Sequence, residues 1–309
     1  MWSLLPVLLL FLLGYLLQKA RFLTAASLIG IRKLVSTLAL PALIFQAFSS
    51  LEMERRYVLL VAIIFLVGVL MVLIGRLVAK PLHMVSPYFP LLMGGFEMGM
   101  LGYALFLSAY GEEHLGKMAL IDLGQVVFVF FVLMALLLRL RDGARDTKVL
   151  IRQFATSPVI LAICAGMVVS LVGDRVPEGS FTNSLGEALG SFITLLAHLT
   201  VPLIAITIGY GIHIGRAGLM ESLKTIAIRK ILLMGLALAI NHFVVEGVLH
   251  LPRIYCQAVL VMFLTPPPFI ISIYLRPDNQ ADADYVANTL SLDTLVSIIM
   301  VMVVSVVYP

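Results

Sequence analysis

The sequence predicts an all-α integral membrane protein in which ten transmembrane helices form two inverted repeats of five. Three observations predict this fold: the composition, the spacing of the apolar runs and the distribution of the basic residues. Of the 309 residues, 61% are hydrophobic and only 12% are charged, whereas a soluble domain is about half apolar and a quarter charged. Because so apolar a chain cannot cover itself with polar surface, we expect it to lie in a lipid bilayer.

Apolar runs of about twenty residues predict the spanning helices. They lie near residues 3–19, 33–50, 57–79, 89–109, 116–138, 155–173, 187–212, 226–249, 255–275 and 285–307. The first run lacks the basic region and the cleavage site of a signal peptide, so we interpret it as a retained first helix. Only short connections remain between the runs, which predicts that no soluble domain is inserted.

The basic residues give the predicted orientation, because Lys and Arg accumulate in cytoplasmic loops. The odd-numbered loops contain 16 of the 21 basic residues and the even-numbered loops contain five. Arg229 and Lys230 are counted in the seventh loop. This bias places both termini outside. It also explains the net charge of +4 as loop charge rather than as a nucleic-acid-binding surface. A compact chain of this kind is compatible with a bacterial inner membrane.

The longest basic loop, residues 139 to 152, divides the chain into residues 1–150 and 151–309. Each part holds five predicted spans, so the second part must enter the bilayer from the opposite side, as in an inverted-topology repeat. Pro41 and Pro202 lie in the second span of their respective halves and form a weak internal repeat. The two parts are therefore predicted to be the two repeats.

Two of the predicted helices are interrupted at corresponding places. The fourth span contains four glycines in nine residues, among them Gly95 and Gly99, and the ninth contains Thr265 followed by three prolines. Glycine lowers helix propensity, and proline removes amide donors. Since unwound backbone at membrane depth is tolerated only in protein or beside a cavity, such pairs of breaks mark the binding site of a transporter. Alternatively, the glycines permit close helix packing and the prolines mark a loop.

Charged side chains inside the spans need an explanation, because each costs about 2.5–3.5 kcal/mol on insertion scales. Glu97 lies in the fourth-span break, and Asp293 lies in the last span, four residues from Ser297. We expect the two carboxyls to bind a coupling proton or sodium ion. The structural alternatives are that Glu97 accepts free amides of the broken helix and that Asp293 caps a nearby helix end.

Other polar residues support weaker predictions. Asp122 and Gln125 lie one helical turn apart and are expected to line the transport domain. Asn241, His242 and Glu246 are predicted to form a polar seam or to satisfy one another. Asp278, Asp282 and Asp284 are predicted to form a solvated acidic loop. Cys164 and Cys256 are predicted to be free thiols rather than a disulfide or a metal-binding pair.

These features resemble the auxin efflux carrier family, which includes the PIN-like carriers and is related in architecture to bile acid:sodium symporters. The resemblance is carried by the ten-span plan, the Pro41 helix, the glycine-rich fourth span, the proline-broken ninth span and the sequence from Thr294 to Ser297. It implies a scaffold of helices 1, 2, 6 and 7, a transport domain of helices 3–5 and 8–10, crossing helices 4 and 9, a homodimer and elevator-type motion. Glu97, Tyr103 and Asp293 depart from the family pattern.

The predicted function is secondary active transport or uniport of a small organic solute, most simply an organic anion bound at the crossing of helices 4 and 9. Coupling to Na⁺ or H⁺ is expected, and no other cofactor is. A cationic or neutral solute, or a non-transporting membrane sensor, are the alternatives. No HExxH or GxSxG motif supports an enzyme. The predicted site comprises Gly95, Glu97, Gly99, Tyr103, Asp122, Thr265, Pro266, Pro267, Asp293, Thr294 and Ser297.

Overall fold

The computed structural model describes residues 5–49, 54, 56–143, 151–152, 154–172, 181–212, 215–276 and 279–308. These residues are helical with short connections, and none of them forms a strand. The main helices are α1 (Leu5–Lys19), α2 (Ala26–Ser49), α3 (Tyr57–Ala79), α4 (Phe89–Met93), α5 (Met98–Tyr110), α6 (Glu112–Arg141), α7 (Pro158–Val172), α8 (Phe181–His198), α9 (Thr200–Gly211), α10 (Leu219–Ile240), α11 (Arg253–Leu264) and α12 (Gln280–Val307).

Six of the described helices are long and apolar enough to cross a membrane. They are α2, α3, α6, the continuous run Gly186–Gly211 that joins α8 to α9, α11 with the 3₁₀ turn Phe269–Tyr274 that follows it, and α12. The shorter helices α1, α5 and α7 are apolar as well. The all-helical membrane protein expected from the composition is therefore confirmed at this level, while the ten-span count and the inverted repeat stay predictions.

The helices pack in two sets of neighbours. In one set, α1 lies along α9, and both α7 and α8 lie on the second half of α2. In the other, α3 packs on α4 and α6, while α10 packs on α11 and α12. The α1–α9 contact brings the two backbones together, since a Cβ added at Gly14 would lie 3.0 Å from the Cα of Ile206. A larger residue at Gly14 would therefore push these helices apart.

Both predicted interruptions are present. Helix α4 ends at Met93 and α5 begins at Met98, with Gly95 between them at a φ of 76°. Helix α11 ends at Leu264, and Thr265 takes an extended conformation with a ψ of 158°. Proline disfavours helical backbone at the residue before it, so Pro266 ends α11 at this point. We call residues 94–97 the first break and residues 265–268 the second break.

The acidic loop before the last helix differs from its prediction. Helix α12 begins at Gln280, five residues before the predicted start, because the Asn279 side chain accepts the amide of Asp282 and caps the helix. Asp282 is buried and accepts a hydrogen bond from the Ser86 hydroxyl at 2.6 Å. The reading of Asp282 as a solvated charge is therefore wrong, and Asp278 lies outside the described residues.

Candidate functional site at the two helix breaks

The first and second breaks lie against each other. The backbone amide of Glu97 donates to the carbonyl of Pro266 at 2.9 Å, and the rings of Phe96 and Phe263 stack with centroids 4.8 Å apart. A Cβ added at Gly95 would lie 2.8 Å from the Cγ of Pro268. Glycine at position 95 thus allows both the positive φ and the close approach of the second break.

Glu97 joins the helical segments that follow the two breaks. Its Oε1 accepts the amide of Met100 at 2.8 Å, in the first turn of α5, and its Oε2 accepts the amide of Phe269 at 2.6 Å. The first amides of a helix lack partners within the helix and carry partial positive charge, so a buried carboxylate is stabilised there. This geometry fits the structural alternative for Glu97; its proposed role in coupling stays a prediction.

Two buried cations bind carbonyl groups at or just beyond the ends of α4 and α11. Arg229 donates through Nη1 to the carbonyl of Thr265 at 2.7 Å and through Nη2 to the carbonyl of Gly95. The Nζ of Lys230 donates to the carbonyl of Leu264. The last carbonyls of a helix lack partners and carry partial negative charge, which favours cations. Positive side chains thus stabilise carbonyl groups where α4 and α11 end, and Glu97 stabilises the amides that follow the two breaks.

Asp293, which lies in α12, neutralises part of the positive charge of Arg229 and Lys230. Its Oδ1 lies 2.7 Å from the Nζ of Lys230 and its Oδ2 lies 3.5 Å from the Nη1 of Arg229. The Nζ of Lys230 also donates to the Ser297 hydroxyl at 2.9 Å, and that hydroxyl donates to Asp293 at 3.4 Å. The predicted neighbours Asp293 and Ser297 therefore share one network. We call Arg229, Lys230 and Asp293 the buried ion cluster.

The assignment of Arg229 and Lys230 to a cytoplasmic loop is wrong. Both lie inside α10, where Arg229 is fully buried and Lys230 is 6% exposed. Their partners lie 34 to 67 residues farther along the chain, except for Gly95, which lies in the other half. The signal that could have identified them is Asp293, since a charge inside a membrane bundle needs a partner of the opposite sign.

Three predicted polar residues meet beside the first break. The Tyr103 hydroxyl donates to the Oδ2 of Asp122 at 3.0 Å, and the amide of Gln125 donates to the carbonyl of Phe96. All three side chains are buried. The Oδ1 of Asp122 and the Oε1 of Gln125 have no hydrogen-bond partner. We call Tyr103, Asp122 and Gln125 the Asp122 cluster.

The other predicted site residues have local roles. Gly99 packs against α2, where an added Cβ would lie 3.1 Å from the Cδ2 of Leu40. Thr294 donates to its own helix at Leu290, and Pro267 is buried within the second break. No group of three His, Cys, Asp or Glu side chains in the described ranges is placed to hold a metal ion.

Outside the breaks, the predicted seam in the eighth span does not form as expected. Asn241 donates to the carbonyl of Cys256 at 3.0 Å, and Glu246 lies 3.7 Å from the Cys256 sulfur. His242 is exposed. Cys164 and Cys256 are free thiols, as predicted.

A cavity of about 530 Å³ opens between α2, the α5–α6 junction and the α8–α9 junction. Its lining includes Gln46 from α2, the carboxylates of Glu112 and Glu113, and His198. The Nε2 of His198 lies 3.5 Å from the Oε2 of Glu112, and both side chains are more than half exposed. The charged lining of this cavity is therefore mainly acidic. In the predicted orientation, it faces the outside of the cell.

Comparison with known proteins identifies a family of membrane transporters. Residues 1–305 match the model of a family described as membrane transport protein. The chain is 25% identical over 304 residues to an uncharacterized transporter of Methanothermobacter thermautotrophicus strain Delta H, an alignment that covers 96% of this chain and 94% of the relative. The match confirms the resemblance to the auxin efflux carriers that the sequence motifs indicated.

Proposed function

Because the chain belongs to the membrane transport protein family, we propose that it is a secondary transporter that carries a small organic solute past the junction of its two breaks. The observation that carries this proposal is the junction itself. Irregular backbone from two separate helices meets inside an apolar bundle, and Glu97 bonds to the amides that follow both breaks. Backbone of this kind is tolerated at membrane depth where it serves a binding site or is enclosed by protein.

We infer the charge of the solute from the Glu97 carboxylate, which already binds the amides at the junction. An anion would need the free amides at Met100 and Phe269, but the Glu97 carboxylate accepts both. The cavity that opens toward the predicted outside presents two further carboxylates, Glu112 and Glu113. We therefore propose a cationic or neutral polar solute first. An organic anion is the second candidate, since both amides would become available to it if the Glu97 side chain rotated away.

The proposed transport cycle uses the two sets of packed helices. In it, ten spans form the inverted repeat, the two broken helices cross, and α3–α6 and α10–α12 move as a unit against α1, α2 and α7–α9. The proposed assembly is a homodimer in a bacterial inner membrane with both termini outside. The packing of α1 on α9, and of α10 on α11 and α12, supports this division.

The test is a search for the solute by thermal stabilisation of the purified full chain in detergent. The panel contains organic cations, neutral amino compounds, indoles and organic acids, each with and without sodium. A ligand present at a hundred times its dissociation constant stabilises the native state by about 2.7 kcal/mol. We expect a cationic or neutral compound to raise the melting temperature, and Glu97→Gln to reduce that rise. Stabilisation by organic acids alone, at least as strong in Glu97→Gln, would support the second candidate.

A further inference from the structure

Three carboxyl groups lie buried near the breaks, and they differ in how their charge is compensated. Asp293 faces the two cations Arg229 and Lys230. Glu97 accepts two backbone amides at positively polarised helix starts. Asp122 has one donor, the Tyr103 hydroxyl at 3.0 Å, and its other oxygen has no partner. Asp122 is therefore the carboxyl whose negative charge is least stabilised by its surroundings.

Among the described residues, no Lys, Arg or His lies within ion-pair distance of Asp122, and its hydrogen-bond donor is Tyr103 of α5. The packed helices carry other ionisable residues, and none of these is hydrogen-bonded to Asp122; these are Tyr57 and Arg76 of α3, Tyr110 of α5, and Arg253, Tyr255 and Cys256 of α11. The α3 surface next to Asp122's helix is apolar, with Val61 and Ile64 against Gly124. A carboxylate in such surroundings is costly unless a cation or a proton neutralises it.

A second buried atom of the Asp122 cluster also lacks a partner. The amide nitrogen of Gln125 is bound to the carbonyl of Phe96, so its Oε1 points elsewhere and has no donor. Gln125 follows Asp122 by three residues in α6, which places both side chains on one helix face. Both residues are more than nine-tenths buried. Two unsatisfied acceptors on one face lack a donor between them, and a proton on Asp122 would supply it.

We propose that the Asp122 carboxyl is a proton-binding site of the transport cycle, completed by Tyr103 and Gln125. A proton from the aqueous phase binds Oδ1 and converts the carboxylate to the neutral acid. The new O–H is a donor for the Oε1 of Gln125, while the Tyr103 hydroxyl continues to donate to Oδ2. One proton thus neutralises the buried charge, turns Oδ1 of Asp122 into a donor and gives Oε1 of Gln125 a hydrogen-bond partner. A transition-metal ion fits less well, because the described residues offer no three-ligand group of His, Cys, Asp or Glu here.

The proton site is linked to the first break by two contacts. Gln125 holds the carbonyl of Phe96, the residue next to Glu97, and Tyr103 belongs to the helix whose first turn Glu97 caps. Glu97 caps the helix whose Tyr103 binds Asp122, and two neighbouring carboxylates repel each other when both are charged. Loss of the Asp122 proton would therefore disfavour negative charge on Glu97 and change the junction that contacts the solute. This link rests on the proposed transport function.

The experiment is pH-difference infrared spectroscopy of the full chain in liposomes, which needs no solute. Wild type should show the C=O stretching band of a protonated, buried carboxylic acid. Asp122→Asn should lose this band, and Glu113→Gln, at a side chain that is 70% exposed, should keep it. Tyr103→Phe should keep the band and move it to higher frequency, since it removes the hydrogen bond to Oδ2. This last variant decides the question if Asp122→Asn does not fold.

Two results would overturn the inference: no such band in wild type at any pH, or a band unchanged in both Asp122→Asn and Tyr103→Phe. The role in transport has its own readout. Once a stabilising solute is known, a proton gradient should change its rate of uptake several-fold in wild type and leave Asp122→Asn unaffected. A band without any effect of the gradient would overturn the role in the cycle. Failure to find any solute would count against the transport function alone, since the infrared result does not depend on it.

Discussion

Replacing Asp293 by Asn removes the negative charge that faces two buried cations. The carboxylate lies 2.7 Å from Lys230 and 3.5 Å from Arg229, and the three side chains are between 0% and 7% exposed. Removing one partner of a buried ion pair costs about 3–5 kcal/mol, because the remaining charge stays buried without compensation. For somewhat shorter chains, each kcal/mol of destabilisation lowers the melting temperature by about 2–4 °C. The melting temperature of Asp293→Asn should therefore fall by about 6–20 °C.

A double-mutant cycle separates this effect from general damage to the core. Lys230→Met removes one cation with a side chain of similar length, and the double variant Lys230→Met/Asp293→Asn should lose less stability than the two single variants together, by about 0.5–3 kcal/mol. The control is Asp284→Asn on the same helix, where the carboxylate binds the exposed Gln280. The free energy of unfolding of this variant should lie within about 0.5 kcal/mol of the wild-type value.

The assay is thermal unfolding of the purified chain in one detergent, followed by intrinsic fluorescence. An Asp293→Asn protein with the same melting temperature as wild type would refute the assignment of a buried, charged cluster. Strict additivity of the two single effects would also refute it, because side chains in direct contact must couple.

Three further predictions follow, two from the junction and one from a contact of α12. Gly95→Ala should destabilise the fold by about 1–3 kcal/mol, because Gly95 has a φ of 76° and faces Pro268. Gly30→Ala, at a helical position with open space around it, should not lower the melting temperature in the same assay. Glu97→Ala should cost about 1.5–3 kcal/mol by leaving two amides without their acceptor, and Glu97→Gln should cost less because one carbonyl oxygen remains. Asn288→Leu should increase proteolytic cleavage near Gly215, whose amide and carbonyl the Asn288 side chain holds; cleavage equal to wild type would contradict this.

Local chemistry made the breaks predictable. Clustered glycines and three consecutive prolines disfavour helix wherever they lie, so the interruptions could be placed without knowledge of neighbouring helices. Glu97 was identified for the same reason, as a charge within the first break. The alternative role foreseen for it, a carboxylate bound by free amides, matches the contacts with Met100 and Phe269.

The ion pairs could not be read from the sequence in the same way, because they depend on contacts between distant segments. Arg229 and Lys230 lie near the start of a predicted span, where the sequence alone suggests loop charge. Without them the odd-numbered loops still hold 14 basic residues against five, so the orientation argument is unaffected. Asp282 was misread for a related reason, since its partner Ser86 lies 196 residues away. Charge in an apolar chain indicates that a partner exists, and only packing identifies it.

The most direct test of the account is uptake of the stabilising solute into sealed proteoliposomes. Wild type, Glu97→Gln and protein-free vesicles would be compared at equal reconstitution, with Asp284→Asn, whose carboxylate binds the exposed Gln280, as the control variant. We expect saturable uptake by wild type, at least a tenfold loss in Glu97→Gln with its fold retained, and little change in Asp284→Asn. Uptake by Glu97→Gln equal to that of wild type would contradict it, because the solute would then not pass the junction of the two breaks.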